Sequence, residues 1–297
     1  MLPKIDRRAG MVAGTAAAAL AVILAIIFAV TQRGDRATPE SQSTEMGEAR
    51  GGELTVAIAP AVAIRVTEAR QPGRPIVLLD PGHGGRDPGA RSVDGKLTES
   101  GLALLLAQEL RERLKENGRV RVALTREGDQ YVTLAERAAI SRQLGADLFV
   151  SLHIDSAPNP LARGASVYSI ADVASDEEAA RMARAENGGR PVVAAASGTV
   201  EALLGDLALR DHMNASADLA SRLVSKATSS VELRPEPHRF ADFHVLRNVG
   251  APAILFEAGY LSNVDDAALL ATPEYRRRLV SALAQAIETD VAARHGR

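Results

Sequence analysis

Three residues able to do acid–base or metal chemistry each follow a short apolar run. IVLLD leads into PGHGG and delivers His83, DLFVSL leads into His153, and AILF leads into Glu257. In open α/β sheets, ligands bind outside the carboxyl ends of the strands, so residues delivered this way can meet at one rim. Two neutral imidazoles and one carboxylate would give a tetrahedral metal site with a fourth position left for water. Cysteine is absent, so any metal must be held by histidine and carboxylate side chains. Gly82, Gly84 and Gly85 leave the backbone around His83 free for a tight turn, and PGHGG lacks the GxxxxGK[ST] pattern of a phosphate loop. The third ligand has three candidates in Glu99, Asp87 and Asp80, and spacing favours Glu99 only slightly. Glu99 also reads as helix N-terminal charge beside Thr98 as N-cap, Asp87 as a turn former and Asp80 as a strand-end residue that fixes the next turn. For Glu257 the competing reading is a carboxylate paired with an arginine such as Arg247. Arg137 reads as a structural ion-pair partner, His244 as a satisfied structural histidine, and His212, His238 and His295 as surface residues.

The elements that must position these groups alternate. Strands are predicted at 76–80, 120–125, 147–152, 164–170 and 253–256. Helices are predicted at 98–115, 134–144, 176–187, 214–229 and 273–294, with Leu102, Leu105, Leu106, Leu110 and Leu114 on one face of the first and Gly145 stopping the second. This order implies an α/β fold with an open, mostly parallel sheet and helices on both faces. Residues 53–68, with β-branched residues around Pro60, read as a short hairpin or lead-in strand.

Upstream, Lys4, Arg7 and Arg8 precede the uncharged run 11–30, whose length suits a membrane-spanning helix. Basic residues before the run predict a cytoplasmic N-terminus and an exported remainder. We expect residues 1–30 to anchor the chain in the inner membrane with its bulk on the periplasmic side; a cleaved signal segment would instead release it to the periplasm. Residues 31–74 read as a polar linker with possible short strands, and 75–297 as the catalytic domain. With 46% hydrophobic, 24% charged and 3% aromatic residues over 297 positions, the composition is globular, and a net charge of -2 gives no footprint for nucleic acid.

Five stretches in order, LLDPGHGGRDPGA, TESGLALLLAQEL, TREGDQYVTLAERAAISRQLGADLFVSLHIDSAPNP, RGASVY and AILFEAGYLSN, carry a further signal. Together, over residues 75–292, they resemble the zinc-dependent N-acetylmuramoyl-L-alanine amidases, and more narrowly the bacterial cell-separation amidases. The resemblance implies a zinc ion on His83, Glu99 and His153, with Glu257 as the catalytic glutamate. It implies cleavage of the peptidoglycan amide between N-acetylmuramic acid and the L-alanine of the stem peptide, in wall turnover and daughter-cell separation. It also gives meaning to the long connection 171–211: in the family such an insert can form a helix that occludes the zinc until a partner displaces it. Glu186 then matches an acidic position able to reach the metal, and the segment 176–209 would receive an activator protein. The alternative, an amphipathic helix carrying an ordinary glutamate, stays open. Two departures stand out. The loop between His83 and Glu99 looks slightly long, and residues 31–74 are too short for a separate wall-targeting domain. A zinc carboxypeptidase using the same ligands and a wall-binding protein without activity are the rival readings.

Overall fold

The computed structural model describes residues 63–188 and 200–295. The expected anchor 11–30 and most of the linker and the 53–68 hairpin lie outside them. Among the described residues, no helix is long and apolar enough to cross a membrane.

The strands are β1 (Val66–Thr67), β2 (Ile76–Pro81), β3 (Arg121–Leu124), β4 (Leu148–Asp155), β5 (Ala165–Ile170), β6 (Leu233–Ala241) and β7 (Ala253–Tyr260). The helices are α1 (Glu99–Asn117), α2 (Leu134–Leu144), α3 (Glu177–Glu186), α4 (Val200–Ala227), α5 (His244–Arg247), α6 (Val264–Ala271) and α7 (Pro273–His295). One seven-stranded sheet runs β1-β3-β2-β4-β7-β5-β6. Its centre, β3-β2-β4-β7, is parallel, while β1 pairs antiparallel with β3, and β5 antiparallel with β7.

Strand alternation sorts the side chains into two layers. Val77, Leu79, Val150, Leu152, Ile254 and Phe256 face α1, α4 and α7, where Leu102, Leu106, Leu110 and Leu114 form the buried stripe of α1. Leu78, Phe149, Tyr168 and Leu255 face the other way, toward α2, α3 and α5. Helices therefore cover both faces, as the sequence pattern predicts. Local signals set the helix ends: Thr98 accepts the Gly101 N–H and Gly118 closes α1 at φ 67, while Thr133 and Glu136 form a capping box on α2 and Gly145 closes it at φ 58.

Three expectations need correction. The strands predicted to stop at 152 and 256 continue to Asp155 and Tyr260, so His153 and Glu257 sit within strands rather than just beyond them. An apolar run ends at the first polar residue, whereas the hydrogen-bonded ladder does not. Helix α4 begins at Val200, well before Asn214, because its first turns lack any proline and a lone Gly205 is tolerated. Strand β6 went unpredicted: Pro235 and Pro237 read as turn residues, but at a sheet edge no outer ladder needs their missing N–H.

On the second face a buried ion pair ties three elements together. Asp80 of β2 meets Arg137 of α2, and also accepts from Thr125 Oγ1 at 2.6 Å and Ser151 Oγ at 2.8 Å. Arg137 is thus the structural ion-pair partner expected from the sequence. Burial alone would raise the Asp80 carboxyl, yet Arg137 with the two hydroxyls holds it below its ordinary 3.8. A depressed folded-state value stabilises above the ordinary value and ceases to do so as pH falls through it. The parent should therefore lose this contribution only below about pH 3.8. Removing the cation with Arg137→Ala leaves a buried charge unpaired, and urea unfolding at neutral pH should show a loss of about 3–5 kcal/mol. A loss under about 1 kcal/mol would mean that water or another cation replaces the guanidinium.

Candidate active site

The loop after β2 carries His83 through a left-handed backbone at φ 56, the single positive φ of a non-glycine among the described residues. Such a conformation costs energy and survives only when neighbours over-determine it. Two buried arginines do so. Arg137 Nη2 donates to the His83 carbonyl at 2.9 Å, and Arg126 donates to the Pro81, Gly82 and Ser100 carbonyls at 3.0, 2.8 and 2.8 Å. Arg126 was not singled out from the sequence; its position directly after β3, beside the β2 loop, was the available signal. From the solvent side, Asp87 Oδ2 meets His83 Nδ1 at 2.9 Å and Oδ1 accepts the Gly89 N–H at 3.1 Å, so Asp87 orients the ring and closes the turn. This leaves His83 Nε2 pointing inward.

Glu99 comes to the same place by a short hairpin. Arg91 bridges to Thr98, and the Glu99 N–H donates to the Ala90 carbonyl at 2.8 Å, which returns the first residue of α1 to the His83 loop. Glu99 Oε2 accepts the Ala90 N–H at 2.9 Å and Oε1 the Ile154 N–H at 3.2 Å. Oε1 also lies 2.9 Å from His153 Nδ1 and 3.1 Å from His83 Nε2. His153 is paired in register with Glu257 across β4 and β7, and neighbouring strands at equal register place both side chains on one face. Glu186, the last residue of α3, closes the cluster with Oε2 3.7 Å from His83 Nε2 and 3.5 Å from His153 Nδ1. One ligand atom from each of His83, Glu99, His153 and Glu186 lies within 4.8 Å of the others. A cavity of about 490 Å³ opens over this cluster.

The charges explain one another. Burial alone would lower His83, but Glu99, then Glu186 and Asp87, raise it to about 10. Burial works against ionising Glu99, yet the two imidazoles hold its carboxyl well below the usual range. Glu186 is raised by burial and by Glu99 and Asp87. Glu257 is raised well above an ordinary carboxyl by burial and by Asp155, Glu99 and Glu186, and its Oε2 has no hydrogen-bond partner. Two clustered carboxylates thus draw positive charge into the site.

Whether this donor set suits a metal can be tested on its geometry. A tetrahedral ion with ligands at about 2.0–2.2 Å separates neighbouring ligand atoms by roughly 3.4 Å. The separations of 2.9, 3.1, 3.5 and 3.7 Å scatter around that value. His83 Nε2 and His153 Nδ1 both face Glu99 Oε1, so nitrogen and oxygen donors from three elements point at one small volume. The donor set fits a zinc-sized divalent cation.

Of the sequence candidates, His83, Glu99, His153 and Glu186 converge and Glu257 stands beside them. Asp80 and Asp87 do not join the donors. Arg247 pairs with Asp172 and Asp242 rather than with Glu257, which removes the proposed structural partner of that glutamate. His244 differs from expectation: its Nε2 is buried without a partner. His238 is half-buried and meets Ser169 Oγ at 2.6 Å, so it is not a plain surface residue. Asp155, unflagged in the sequence, lies at the end of β4 and is raised to about 6 by burial.

A family model described as N-acetylmuramoyl-L-alanine amidase matches residues 77–289. This α/β architecture with its His/Glu cluster has counterparts in known proteins. The chain is 31% identical over 220 residues to N-acetylmuramoyl-L-alanine amidase AmiA of Escherichia coli K12, covering 72% of this chain and 75% of that one. It is 33% identical over 230 residues to AmiC of Neisseria meningitidis, covering 73% of this chain and 54% of that one. Among solved structures, the catalytic domain of CwlV from Bacillus (Paenibacillus) polymyxa superposes with a TM-score of 0.54 at 25% identity, covering 72% and 97% of the two chains. The CwlD amidase of Clostridioides difficile, solved with the GerS lipoprotein, shares the fold with a TM-score of 0.56 at 21% identity, covering 74% and 100%. The chain belongs to the N-acetylmuramoyl-L-alanine amidase family and is a hydrolase of peptidoglycan amide bonds.

The packing of the site makes one steric prediction. A Cβ on Gly82 would lie 2.5 Å from His153 Cε1 and Nε2, against a ring that the sheet holds in place. Gly82→Ala should fold but push His153 out of the cluster, and calorimetric titration with zinc should show at least a tenfold weaker site, as loss of a ligand's support does. Unchanged affinity would show that the ring can move aside without leaving the donor set.

Proposed function

We propose that this amidase cleaves the bond between N-acetylmuramic acid and the L-alanine of the stem peptide, with zinc on His83, Glu99 and His153 and with Glu257 as the proton carrier. The observation that carries the reading is the convergence of three donor atoms from β2's loop, α1 and β4 beside a buried, unpartnered carboxylate on β7. When bound, zinc supplies Lewis-acid activation of water and of the scissile carbonyl. The rest falls to the protein. Asp87 holds His83 by its outer nitrogen, which fixes the ring and keeps Nε2 turned inward. Glu99, anchored by two backbone N–H groups, brings negative charge without needing to move. Glu257 has a raised proton affinity, which suits a group that takes a proton from water and later gives it to the departing alanine nitrogen.

On the same reading α3 holds the enzyme closed. Glu186 occupies the place that water and substrate need, and displacement of α3 by a partner protein would shift the population to the open form. The exposed Leu204 and Leu207 on the first part of α4 would contribute to the surface such a partner binds. That CwlD is found in complex with a lipoprotein supports the idea that enzymes of this fold work with protein partners. The run 11–30 would tether the chain to the inner membrane and place its activity at the periplasmic wall, or release it there if cleaved, in daughter-cell separation.

Two sets of substitutions check this. His83→Ala, Glu99→Ala and His153→Ala should each lower zinc content, whereas Glu257→Gln should keep the zinc and lose roughly 10²-fold or more in turnover on muropeptides. Full zinc and full activity in any of the first three would remove that residue from the ligand set, and turnover within a few-fold of the parent would make Glu257 structural. Glu186→Ala should raise activity on purified peptidoglycan in the absence of any partner. Unchanged activity with normal zinc content would leave α3 as a substrate-facing element rather than a plug.

A further inference from the structure

Helix α3 carries a second carboxylate that is held more closely than Glu186. Glu178, near its start, receives a bidentate fork from Arg234 of β6, with Nη1 to Oε1 at 2.7 Å and Nη2 to Oε2 at 2.8 Å. Arg239 of the same strand adds a third bond to Oε2 at 3.2 Å and pairs also with Asp176, the N-cap of α3, at 2.5 Å. Arg239 is buried and Arg234 nearly so. Tyr260 lies under this arrangement, with its ring 5.2 Å from the Arg234 guanidinium and its hydroxyl 3.3 Å from Glu178 Oε1. Among the described residues, the carboxylates paired with the two guanidinium groups, Asp176 and Glu178, both belong to the α3 unit. If α3 leaves, two largely buried cations lose their anions, and a buried charge without a partner is costly.

The surroundings indicate what would replace the lost anions. A second cavity, of about 500 Å³, opens at this end of α3, between the loop after β4 and β6, and Arg234, Glu178 and Arg181 line it. The helix thus runs from one cavity to the other. Glu178 and Glu186 are eight residues apart on one helix, which is about 12 Å along the axis at 1.5 Å per residue. An extended peptide rising about 3.3 Å per residue covers that distance in three to four residues.

We propose that Arg234 and Arg239 form a carboxylate subsite for the stem peptide, and that Glu178 fills it in the closed state as an internal stand-in. This rests on the reading of the chain as a muramoyl-alanine amidase that α3 occludes. With the scissile amide at the metal cluster, the subsite falls beside the third or fourth residue of the stem, and its planar, paired donors suit a carboxylate rather than a neutral amide. Substrate and α3 then compete for the same two arginines. Opening the enzyme exposes a charge pair that binding of the correct peptide neutralises.

The full-length zinc enzyme tests this with two synthetic probes: an N-acetylmuramoyl tetrapeptide with free carboxylates on residues three and four, and the same compound with both amidated. Glu178→Gln should loosen α3, raise activity without a partner, and cleave the free acid about tenfold better than the amide, as loss of a charge-assisted bidentate pair predicts. Adding Arg234→Gln to that variant should abolish the preference, mainly through a higher KM for the acid with kcat within a few-fold. Arg234→Lys in the same background keeps the charge without the fork and should fall between them, which also covers the case in which the glutamine variant fails to fold. An undiminished preference in the Arg234 variants would overturn the subsite and leave the arginines as a latch for α3. Product analysis separates the underlying reading: if Glu178→Gln cuts either probe elsewhere than between muramic acid and alanine, the amidase assignment fails first and the subsite with it.

Discussion

Four ligand atoms within 4.8 Å, two of them carboxylate oxygens, make a buried electrostatic cost on which the rest of the fold is organised. Two like charges about 4 Å apart repel by roughly 4 kcal/mol at an effective dielectric near 20. The protein meets this with directed positive charge. Two imidazoles face the carboxylates, backbone N–H groups of Ala90 and Ile154 point at Glu99, and Glu99 itself sits at the start of α1, where the helix dipole favours an anion. Each contribution comes from a different element, so the cluster exists only when β2, α1 and β4 are all in place.

That requirement explains the weight of polar structure beneath the loop. Asp80, Arg137 and Arg126 contribute no atom to the donor set, yet they fix the carbonyls of Pro81, Gly82 and His83 and thereby hold a histidine in a backbone conformation it would not choose. Buried ion pairs add little net stability when weighed against an apolar core, and their use here is positional. A strained loop fixed by charged donors holds its side chain within a narrow range, as a catalytic group needs.

Helix α3 is held in another way. It buries only Ala179, Met182 and Ala183, and most of its attachment is polar: Asp176 and Glu178 on the arginines of β6, and Asn187 clipped to the Asp242 carbonyl at 2.7 Å and the His244 N–H at 2.8 Å. Polar attachments can be exchanged for others of the same kind, whereas a large apolar face can leave only for another apolar surface. Helix α1, with a continuous buried stripe and Glu99 at its start, is a fixed part of the site, and α3 has the character of an element that can be traded.

The sequence by itself determined most of the frame. Apolar runs of the right length marked β2, β4 and β7, leucines at helical spacing marked α1, and local caps at Thr98, Thr133 and Gly145 set boundaries, because each of these depends on neighbours a few residues away. The glycines around His83 and the polar residues following the apolar runs pointed to the site for the same reason. The tertiary structure set how Glu99 and Asp87 are turned, one toward the inner nitrogens and the other toward the outer one. It alone joined Asp80 to Arg137, placed Glu257 opposite His153 without an arginine partner, and carried Glu186 across the sheet to the cluster. It alone made β6, with its two prolines, an edge strand that supplies Arg234 and Arg239. Periodicity specifies which face a side chain takes, but the distance between residues as far apart in the chain as His83 and Glu186 is set by how helices and strands pack, and no local pattern contains it.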